Sequence, residues 1–212
     1  MVSSELHEMQ MRVKRNYVAG IARELFFSRG YENTSIDEIA RTAQMSKSTL
    51  YNYVKGKEDL FILVHLEGMK LRVGQLKTEM NSKTSGYEKI LAFGSVYYSF
   101  YKENPGYFKL HMYEDYNSIN KAKVDERIFN EFDDLLTEVI EMVRSAFRLG
   151  IQDGSLKDNL DVEYCDKYLA YNLRTILNVA FSPEKIKQLD ANFNEEDFYF
   201  KYLEMFMQFI KK

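Results

Sequence analysis

One short stretch of the chain carries a row of hydrogen-bond donors and positive charges, and it contains no acid. Between Met45 and Lys57 the polar positions are Ser46, Lys47, Ser48, Thr49, Tyr51, Asn52, Tyr53, Lys55 and Lys57. Phosphate oxygens accept hydrogen bonds from lysine and hydroxyl groups, while lysine and short polar side chains also reach the edges of bases. The residue types therefore predict a surface that contacts the backbone and the bases of a nucleic acid.

Two short helices are predicted to hold these residues. The first begins with Ser35 followed three residues later by Glu38, which is a capping-box pattern. Its apolar residues follow the i, i+3, i+4, i+7 spacing of one buried helix face: Ile36, Ile39, Ala40 and Ala43. The second helix begins after Ser46, a good N-cap residue, and turns Leu50 and Val54 inward.

The connection between these helices is very short, because only Gln44 and Met45 separate the last apolar residue from the next cap. Helices joined so tightly cross at a steep angle, which is the helix-turn-helix arrangement whose second helix enters a DNA major groove. The alternative is an amphipathic hairpin that faces solvent. Such hairpins usually mix acids with bases on the exposed face, and this stretch does not.

Several runs of residues around this motif follow one another without gaps. They are Ala22-x-x-Leu25-Phe26-x-x-x-Gly30-Tyr31, Thr34-Ser35-Ile36-x-x-Ile39-Ala40-x-x-Ala43, Ser46-Lys47-x-Thr49-Leu50-Tyr51-x-Tyr53 and Lys57-Glu58-x-Leu60. Over roughly residues 10–60 the chain resembles the DNA-binding domain of TetR/AcrR-type transcriptional regulators. Two positions depart from that pattern, since the family usually has Gly at Gln44 and more often Phe at Val54. Gln at a position that requires a positive φ carries backbone strain.

The resemblance implies a function and a set of contact residues. It implies a ligand-responsive, sequence-specific transcriptional regulator, most often a repressor, which acts as a homodimer on a near-palindromic operator in double-stranded DNA. The positions that match the family's phosphate contacts are Thr34, Thr49, Tyr51, Tyr53 and Lys57, and those that match its base-reading positions are Lys47, Ser48 and Asn52. The predicted caps Ser35 and Ser46 complete the DNA-binding candidates.

Composition favours an all-α protein. Among 212 residues there are two prolines and no tryptophan, with 45% apolar and 29% charged residues. We expect a three-helix head, residues 1–56, that binds DNA and a body of about six helices, residues 57–212, that binds ligand and dimerises. The net charge of −3 conceals an asymmetry, because residues 1–57 contain nine Lys or Arg against six Asp or Glu. A basic head confines the attraction for phosphate to one end.

The first helix is predicted over residues 5–28 and ends at Gly30, which can cap it. Its buried stripe is predicted to repeat every four residues and to be widened by two more: Val13, Tyr17, Ile21 and Leu25, with Ala22 and Phe26. The chain has no apolar run near the ~20 residues of a membrane span. A single cysteine, Cys165, fits a reducing compartment, so we expect a cytoplasmic protein with no membrane partner.

An aromatic-rich segment, residues 93–116, is predicted to form part of an effector pocket together with residues 129–143 and 168–172. The candidate contacts are Phe93, Tyr97, Phe108, His111, Met112, Phe132, Tyr168, Asn172 and Arg174. The alternative is that these rings only fill the core. The many tyrosine hydroxyls favour a pocket, since each buried one needs a partner. The effector is expected to be small and apolar or aromatic, and Arg174 or His111 can hold a carboxylate if it has one.

The last two predicted helices, residues 161–181 and 194–211, are rich in apolar residues, and the first of them is apolar nearly all round. In the first, Cys165, Tyr168, Leu169, Ile176, Val179 and Ala180 are predicted on one side, and Tyr164, Tyr171, Leu173, Leu177 and Phe181 on the other. One face suffices for the helix's own core, so the surplus face predicts a partner surface. We expect a homodimer in which these helices form a four-helix bundle with their symmetry mates.

Two other classes of function were weighed against DNA binding. An enzyme or small-molecule-binding protein without a DNA role has few ingredients here, because His7, His65 and His111 lie far apart and no phosphate-binding glycine loop is present. We therefore predict no catalytic residue, no metal site and no cofactor. A helical adaptor for other proteins leaves the acid-free stretch from Met45 to Lys57 unexplained.

Overall fold

The protein is all-helical, as the composition predicted. The computed structural model describes residues 2–113, 121–181 and 193–212. Its α-helices are α1 Val2–Arg29, α2 Ile36–Thr42, α3 Lys47–Tyr51, α4 Lys57–Asn81, α5 Gly86–Glu103, α6 Pro105–Tyr113, α7 Glu126–Asp153, α8 Val162–Ala180 and α9 Glu195–Ile210, with a 3-10 helix at Lys121–Lys123. No strand occurs over these ranges. None of the helices described combines the length and apolarity that a membrane crossing needs.

Local capping signals set most of the helix boundaries. Ser35, Ser46 and Asp161 each accept a hydrogen bond from a backbone N–H in the first turn of the helix that follows. Ser85 and Glu88 form a complete capping box, because each accepts from the backbone N–H of the other. The caps predicted at Ser35 and Ser46 are confirmed, and all of these caps satisfy N–H groups that a helix start otherwise leaves without a partner.

The chain divides into two compact units, each built from two segments. Unit 1 contains Met1–Lys70 and Asn104–Leu135, and unit 2 contains Leu71–Glu103 and Leu136–Lys212. The predicted division after residue 56 separates DNA binding from ligand binding and dimerisation. That division of function stays a prediction.

In unit 1 the buried side of α1 differs from the predicted stripe. Val18, Ala22 and Phe26 are buried, whereas Val13 and Tyr17 are 57% and 51% exposed. The reason is geometric. A repeat of four residues advances further than the 3.6 residues of one helical turn, so its members drift around the helix axis. The predicted stripe was therefore wrong at its N-terminal end.

In unit 2 the core forms where α5 packs against α8 and α9. Tyr199 is fully buried and its hydroxyl donates to the carbonyl of Gly94 at 2.8 Å. A side chain at Gly94 would strike Leu203, so the small residue permits close approach of α9. Helix α8 turns one face inward, and the apolar residues buried on it are Cys165, Leu169, Leu173, Leu177 and Ala180. The sequence pattern had assigned Leu173 and Leu177 to the opposite side from the other three.

Candidate nucleic-acid interface

The turn between α2 and α3 is closed by two backbone hydrogen bonds. Met45 N donates to Ala40 O at 2.9 Å, and Gln44 N donates to Arg41 O at 3.1 Å. This pair of bonds is the Schellman arrangement, which requires a left-handed residue just beyond the helix. Gln44 takes that conformation with a φ of 55°, and over the described ranges it is the one non-glycine residue with positive φ. The turn therefore forms despite the strain that Gln brings.

Helix α3 presents most of the predicted contact residues to solvent. Leu50 and Val54 are buried beneath it, as predicted, and Ser46 caps its start. The exposed residues are Ser46, Lys47, Ser48, Tyr51 and Asn52, while Thr49, Tyr53 and Lys57 are half-buried. The α-helix is shorter than the sequence pattern indicated, because Asn52 and Tyr53 donate to carbonyls three residues back. Such bonds tighten a last helical turn.

Lys47 makes a contact that the sequence did not predict. Its ammonium lies 2.7 Å from a carboxylate oxygen of Asp37, which belongs to α2. That hydrogen bond raises the pKa of Lys47. The face of α3 contains no acid of its own, but α2 supplies one beside it. A base contact by Lys47 would require its ammonium to leave Asp37 or to be shared with it.

Lys57 is held at the start of α4 by an aromatic ring. Its ammonium lies 4.0 Å from the centroid of the Tyr31 ring, which is a cation–π contact. Burial lowers the pKa of Lys57, and the nearby carboxylates of Glu32 and Glu58 act in the opposite direction. Four residues earlier, the carbonyl of Tyr53 accepts from Arg15 of α1 at 3.0 Å. These contacts fix the C-terminal end of the contact surface to α1 and the turn after it.

Thr34 differs from the other candidates because it is 1% exposed. Its hydroxyl donates to the carbonyl of Gly30 at 2.9 Å, so it closes the turn between α1 and α2. A hydroxyl used in this way is not presented to a DNA backbone, and the prediction of a side-chain phosphate contact is corrected accordingly. Ser35 is exposed, and its oxygen accepts from Glu38 N at 3.1 Å.

A buried carboxylate supports the end of the helix-turn-helix. Asp59 is fully buried, and its two oxygens accept backbone hydrogen bonds from Lys55 at 2.6 Å and from Asp125 at 2.7 Å. The ammonium of Lys55 also donates to the carbonyl of Val124 at 3.3 Å. Asp59 lies in the first turn of α4, where the helix dipole favours acids. The sequence alone did not reveal its hydrogen bond from Asp125, because that residue lies 66 residues further along the chain.

Two of the predicted effector contacts of unit 1, His111 and Phe132, lie near His65. Phe108 and Phe132 are buried, whereas His111 and Met112 are half-buried. The His65 ring lies 6.4 Å, centroid to centroid, from both His111 and Phe132. Residues 114–116, the end of the predicted aromatic segment, lie outside the described residues.

The predicted effector contacts of unit 2 divide between its interior and its surface. Phe93 and Tyr97 are buried and stack at 5.9 Å. Beside them lies Arg72, 6% exposed, whose guanidinium carbon is 4.9 Å from the centroid of the Tyr97 ring. Its guanidinium also donates to the hydroxyl of Tyr101. The sequence alone did not indicate Arg72, because its burial depends on the packing of α4 against α5.

Tyr168, Asn172 and Arg174 lie on α8, and none of them is buried. Tyr168 is 44% exposed and stacks on Phe206 of α9 at 6.0 Å. The amide of Asn172 donates to the carbonyl of Tyr168 at 2.7 Å, and Arg174 is half-buried. Tyr168 was predicted on the inner face of α8, and the structure corrects this by placing it on the exposed one.

Large apolar side chains are exposed along α8 and α9. They are Tyr164, Tyr168, Tyr171, Met205 and Phe209. Tyr171 and Met205 have the largest exposed fractions, 72% and 73%. Tyr164 stacks on Tyr168, which stacks on Phe206, and large exposed apolar patches mark interaction sites.

The identity of the DNA-binding segment is decided by a match over the helix-turn-helix. The family described as "Bacterial regulatory proteins, tetR family" matches residues 21–64, which run from the second half of α1 into α4. These residues form a TetR-family DNA-binding domain. The resemblance inferred from the sequence is thereby confirmed, together with its implication that the protein is a DNA-binding regulator.

Individual TetR-family proteins are similar over longer or shorter segments. The "Fatty acid metabolism regulator protein" of Bacillus subtilis is 24% identical over 158 residues, covering 72% of this chain and 76% of that protein. The regulator QacR of Staphylococcus aureus is 33% identical over 72 residues, covering 34% and 38%. The crystal structure of FadR from Bacillus subtilis in complex with stearoyl-CoA has a TM-score of 0.70 at 19% identity, covering 90% and 96%. This last likeness shows the fold.

Proposed function

We propose that this TetR-family regulator is a repressor whose α3 reads operator DNA and whose affinity for that DNA is controlled by a long-chain, apolar effector. The observation that carries the DNA-binding part is the exposed, acid-free face of α3 on a turn fixed by backbone hydrogen bonds. We assign DNA binding to residues 1–56 and effector binding with dimerisation to residues 57–212. Such a protein acts on the bacterial chromosome, in the cytoplasm.

The contact residues are expected to fall into two groups with different physical signatures. Lys57, with Thr49, Tyr51 and Tyr53, contacts phosphates, which carry no sequence information. Lys47, with Ser48 and Asn52, contacts base edges. Phosphate contacts release counterions and therefore set the salt dependence of binding, whereas base contacts set the preference among sequences.

A pair of alanine variants tests this division. Lys57→Ala should weaken binding to every duplex in a panel of different sequences and reduce the salt slope by about one unit. Lys47→Ala should lose about 1–3 kcal/mol at one base position and relax the preference there. Fluorescence anisotropy with labelled duplexes measures both effects. If the two variants behaved alike across the panel, the assigned roles would be wrong.

Dimerisation is proposed through the exposed apolar face of α8 and α9. One short recognition helix reads only a few base pairs, and a twofold dimer doubles that number on a near-palindrome with half-sites about 34–36 Å apart or a multiple of that. The aromatic and Met side chains exposed on this face are residue types enriched in interfaces. The face also belongs to two neighbouring helices, which suits a four-helix bundle with a second copy.

Two substitutions at exposed positions test the dimer without disturbing the protomer. Tyr171→Glu with Met205→Glu should give a monomer by analytical ultracentrifugation, with far weaker operator binding, because charges would face each other across the bundle. Leu177 and Phe206 are unsuitable for this test, since both are buried within unit 2. Ala170→Glu, an exposed change on the same helix about 100° around its axis from Tyr171, is the matched control. A dimer that survives the double substitution would refute the proposed interface.

The effector class is inferred from the relatives and from the chemistry of unit 2. The similar Bacillus subtilis protein is named a regulator of fatty acid metabolism, and the FadR structure contains stearoyl-CoA. Apolar walls with a few polar groups are typical of a small-molecule site. In unit 2, Phe93 and Tyr97 are proposed contacts, and the nearby Arg72 is a cation that can bind a carboxylate or phosphate. The candidates of unit 1 stay predictions.

Thermal unfolding with and without stearoyl-CoA tests the effector. A ligand at 100 times its Kd stabilises the folded state by about 2.7 kcal/mol, which is several degrees in Tm. Coenzyme A without the acyl chain is the control and should have a much smaller effect. The same additions should change the affinity for DNA, because an effector shifts the conformational equilibrium only if it prefers one state. An unchanged Tm with acyl-CoA compounds and with free fatty acids would refute this effector class.

A further inference from the structure

A surface depression in unit 1 joins the helix-turn-helix to a segment outside it. The depression has a volume of about 490 Å³, and two of the proposed phosphate contacts, Tyr51 and Lys57, line it. Its opposite wall comes from the 3-10 helix Lys121–Lys123, through Ala122 and Lys123. The family match ends at residue 64, so this wall lies well beyond the part of the chain that marks the family.

The depression is electropositive. The lysines that line it are Lys55, Lys57 and Lys123, and the acid that lines it is Glu58. The ammonium of Lys123 lies 3.4 Å from the Glu58 carboxylate, and the Lys123 side chain is 62% exposed. Exposed ion pairs of this kind contribute little to stability and are weakened by salt. A phosphate can therefore replace the Glu58 carboxylate at Lys123 with little loss.

The position of Lys123 is fixed relative to the end of the helix-turn-helix. The two residues that follow it are bonded to the corner between α3 and α4. The carbonyl of Val124 accepts from the ammonium of Lys55, and the backbone N–H of Asp125 donates to Asp59. Asp59 accepts from the backbone of both Lys55 and Asp125, so one buried carboxylate ties the two segments together. Lys123 consequently has a set distance from Tyr51 and Lys57. When those residues contact a phosphate, Lys123 lies beside the same stretch of DNA backbone.

We infer that Lys123 contacts a DNA phosphate and extends the DNA interface beyond the helix-turn-helix. This inference rests on the proposed DNA-binding role of α3. The contact is to the backbone, because a lysine at the far wall of the depression adds charge without reaching the groove that α3 reads. It strengthens binding to all sequences equally. Glu58 competes with the phosphate for Lys123 and thereby weakens DNA binding.

The experiment measures the affinity of the full-length protein for a labelled duplex of arbitrary sequence, across a series of salt concentrations. Lys123→Ala should lower the salt slope by about 0.9, which corresponds to about a fivefold loss of affinity near 0.15 M salt. Lys123→Arg should keep the wild-type slope because it keeps the charge. Lys109→Ala, which removes an exposed lysine of α6 outside the depression, should leave the slope unchanged. Equal Tm values for all variants show that folding is not the cause.

A second substitution predicts a change in the opposite direction. Glu58→Gln should raise the affinity for the same duplex, and the gain should shrink in the Lys123→Ala background because the competition has been removed. If wild type binds and Lys123→Ala has the wild-type slope and affinity, the inference is wrong while the proposed function stands. If wild type binds neither this duplex nor any other, both are wrong. An equal gain from Glu58→Gln in both backgrounds also contradicts the inference.

Discussion

Asp59 is the residue on which the attachment of the helix-turn-helix depends most, and Asp59→Asn tests this directly. Asparagine has nearly the same shape, but it replaces one acceptor oxygen by an NH2 group. That group then faces the backbone N–H of Lys55 or Asp125, which are the two donors that Asp59 binds. One charge-assisted hydrogen bond is lost in a site that is fully buried.

The expected magnitude follows from the lost bond. A hydrogen bond to a charged group contributes about 1.5–3 kcal/mol, so the free energy of unfolding should fall by about that amount. For a chain of this length the corresponding fall in Tm is about 3–12 °C. Urea unfolding followed by far-ultraviolet circular dichroism measures the change. Asp134→Asn, an exposed acid of α7 in the same unit, is the control and should stay within about 0.5 kcal/mol of wild type. Equal stability of the two variants would refute the proposed role of Asp59.

Three further predictions concern the backbone and pH. Gln44→Gly should raise the free energy of unfolding by about 1 kcal/mol, because glycine adopts the left-handed turn without strain; an unchanged Tm contradicts this. Gly86→Ala should lower the free energy of unfolding by about 1–3 kcal/mol, because the added Cβ would strike the backbone of α7. Gly74→Ala is the control: its Cβ meets open space, so this change should raise Tm slightly. Asp153 has a lowered pKa because Ser155 and the backbone of Gly86 donate to it. The stabilising effect of the Asp153 carboxylate is present above the unfolded pKa of about 4 and is lost as pH falls through the lower folded pKa. The difference in Tm between wild type and Asp153→Asn should therefore vanish in acid. A difference in Tm that persists in acid contradicts this prediction.

The helix-turn-helix could be predicted because its determinants are local. Caps such as Ser35 and Ser46 act within one turn of a helix, and the inward residues Leu50 and Val54 follow helical spacing. The positive φ at Gln44 followed from the family pattern. Each of these features depends on residues a few positions apart, which a sequence displays directly.

The features that could not be predicted depend on contacts between elements. The Lys47–Asp37 pair joins α3 to α2, and the hydrogen bond from the backbone N–H of Asp125 to Asp59 joins α4 to the residue before α7. Helix α8 shows the same limit in another form. It is apolar nearly all round, so periodicity alone did not reveal that Leu177 faces inward while Tyr171 faces outward. Only the packing of α5 and α9 selects the buried side.

The most direct test of a sequence-specific, dimeric DNA-binding regulator is selection of binding sites by the purified protein from a library of random duplexes. The predicted result is enrichment of one near-palindromic sequence, with half-sites about one helical turn or a multiple apart. The selected duplex should bind about a thousandfold or more tighter than an unselected one, and its affinity should fall linearly on a log–log plot against salt. Recovery of unenriched sequences, with equal affinity for selected and unselected DNA, would contradict the claim that α3 reads an operator.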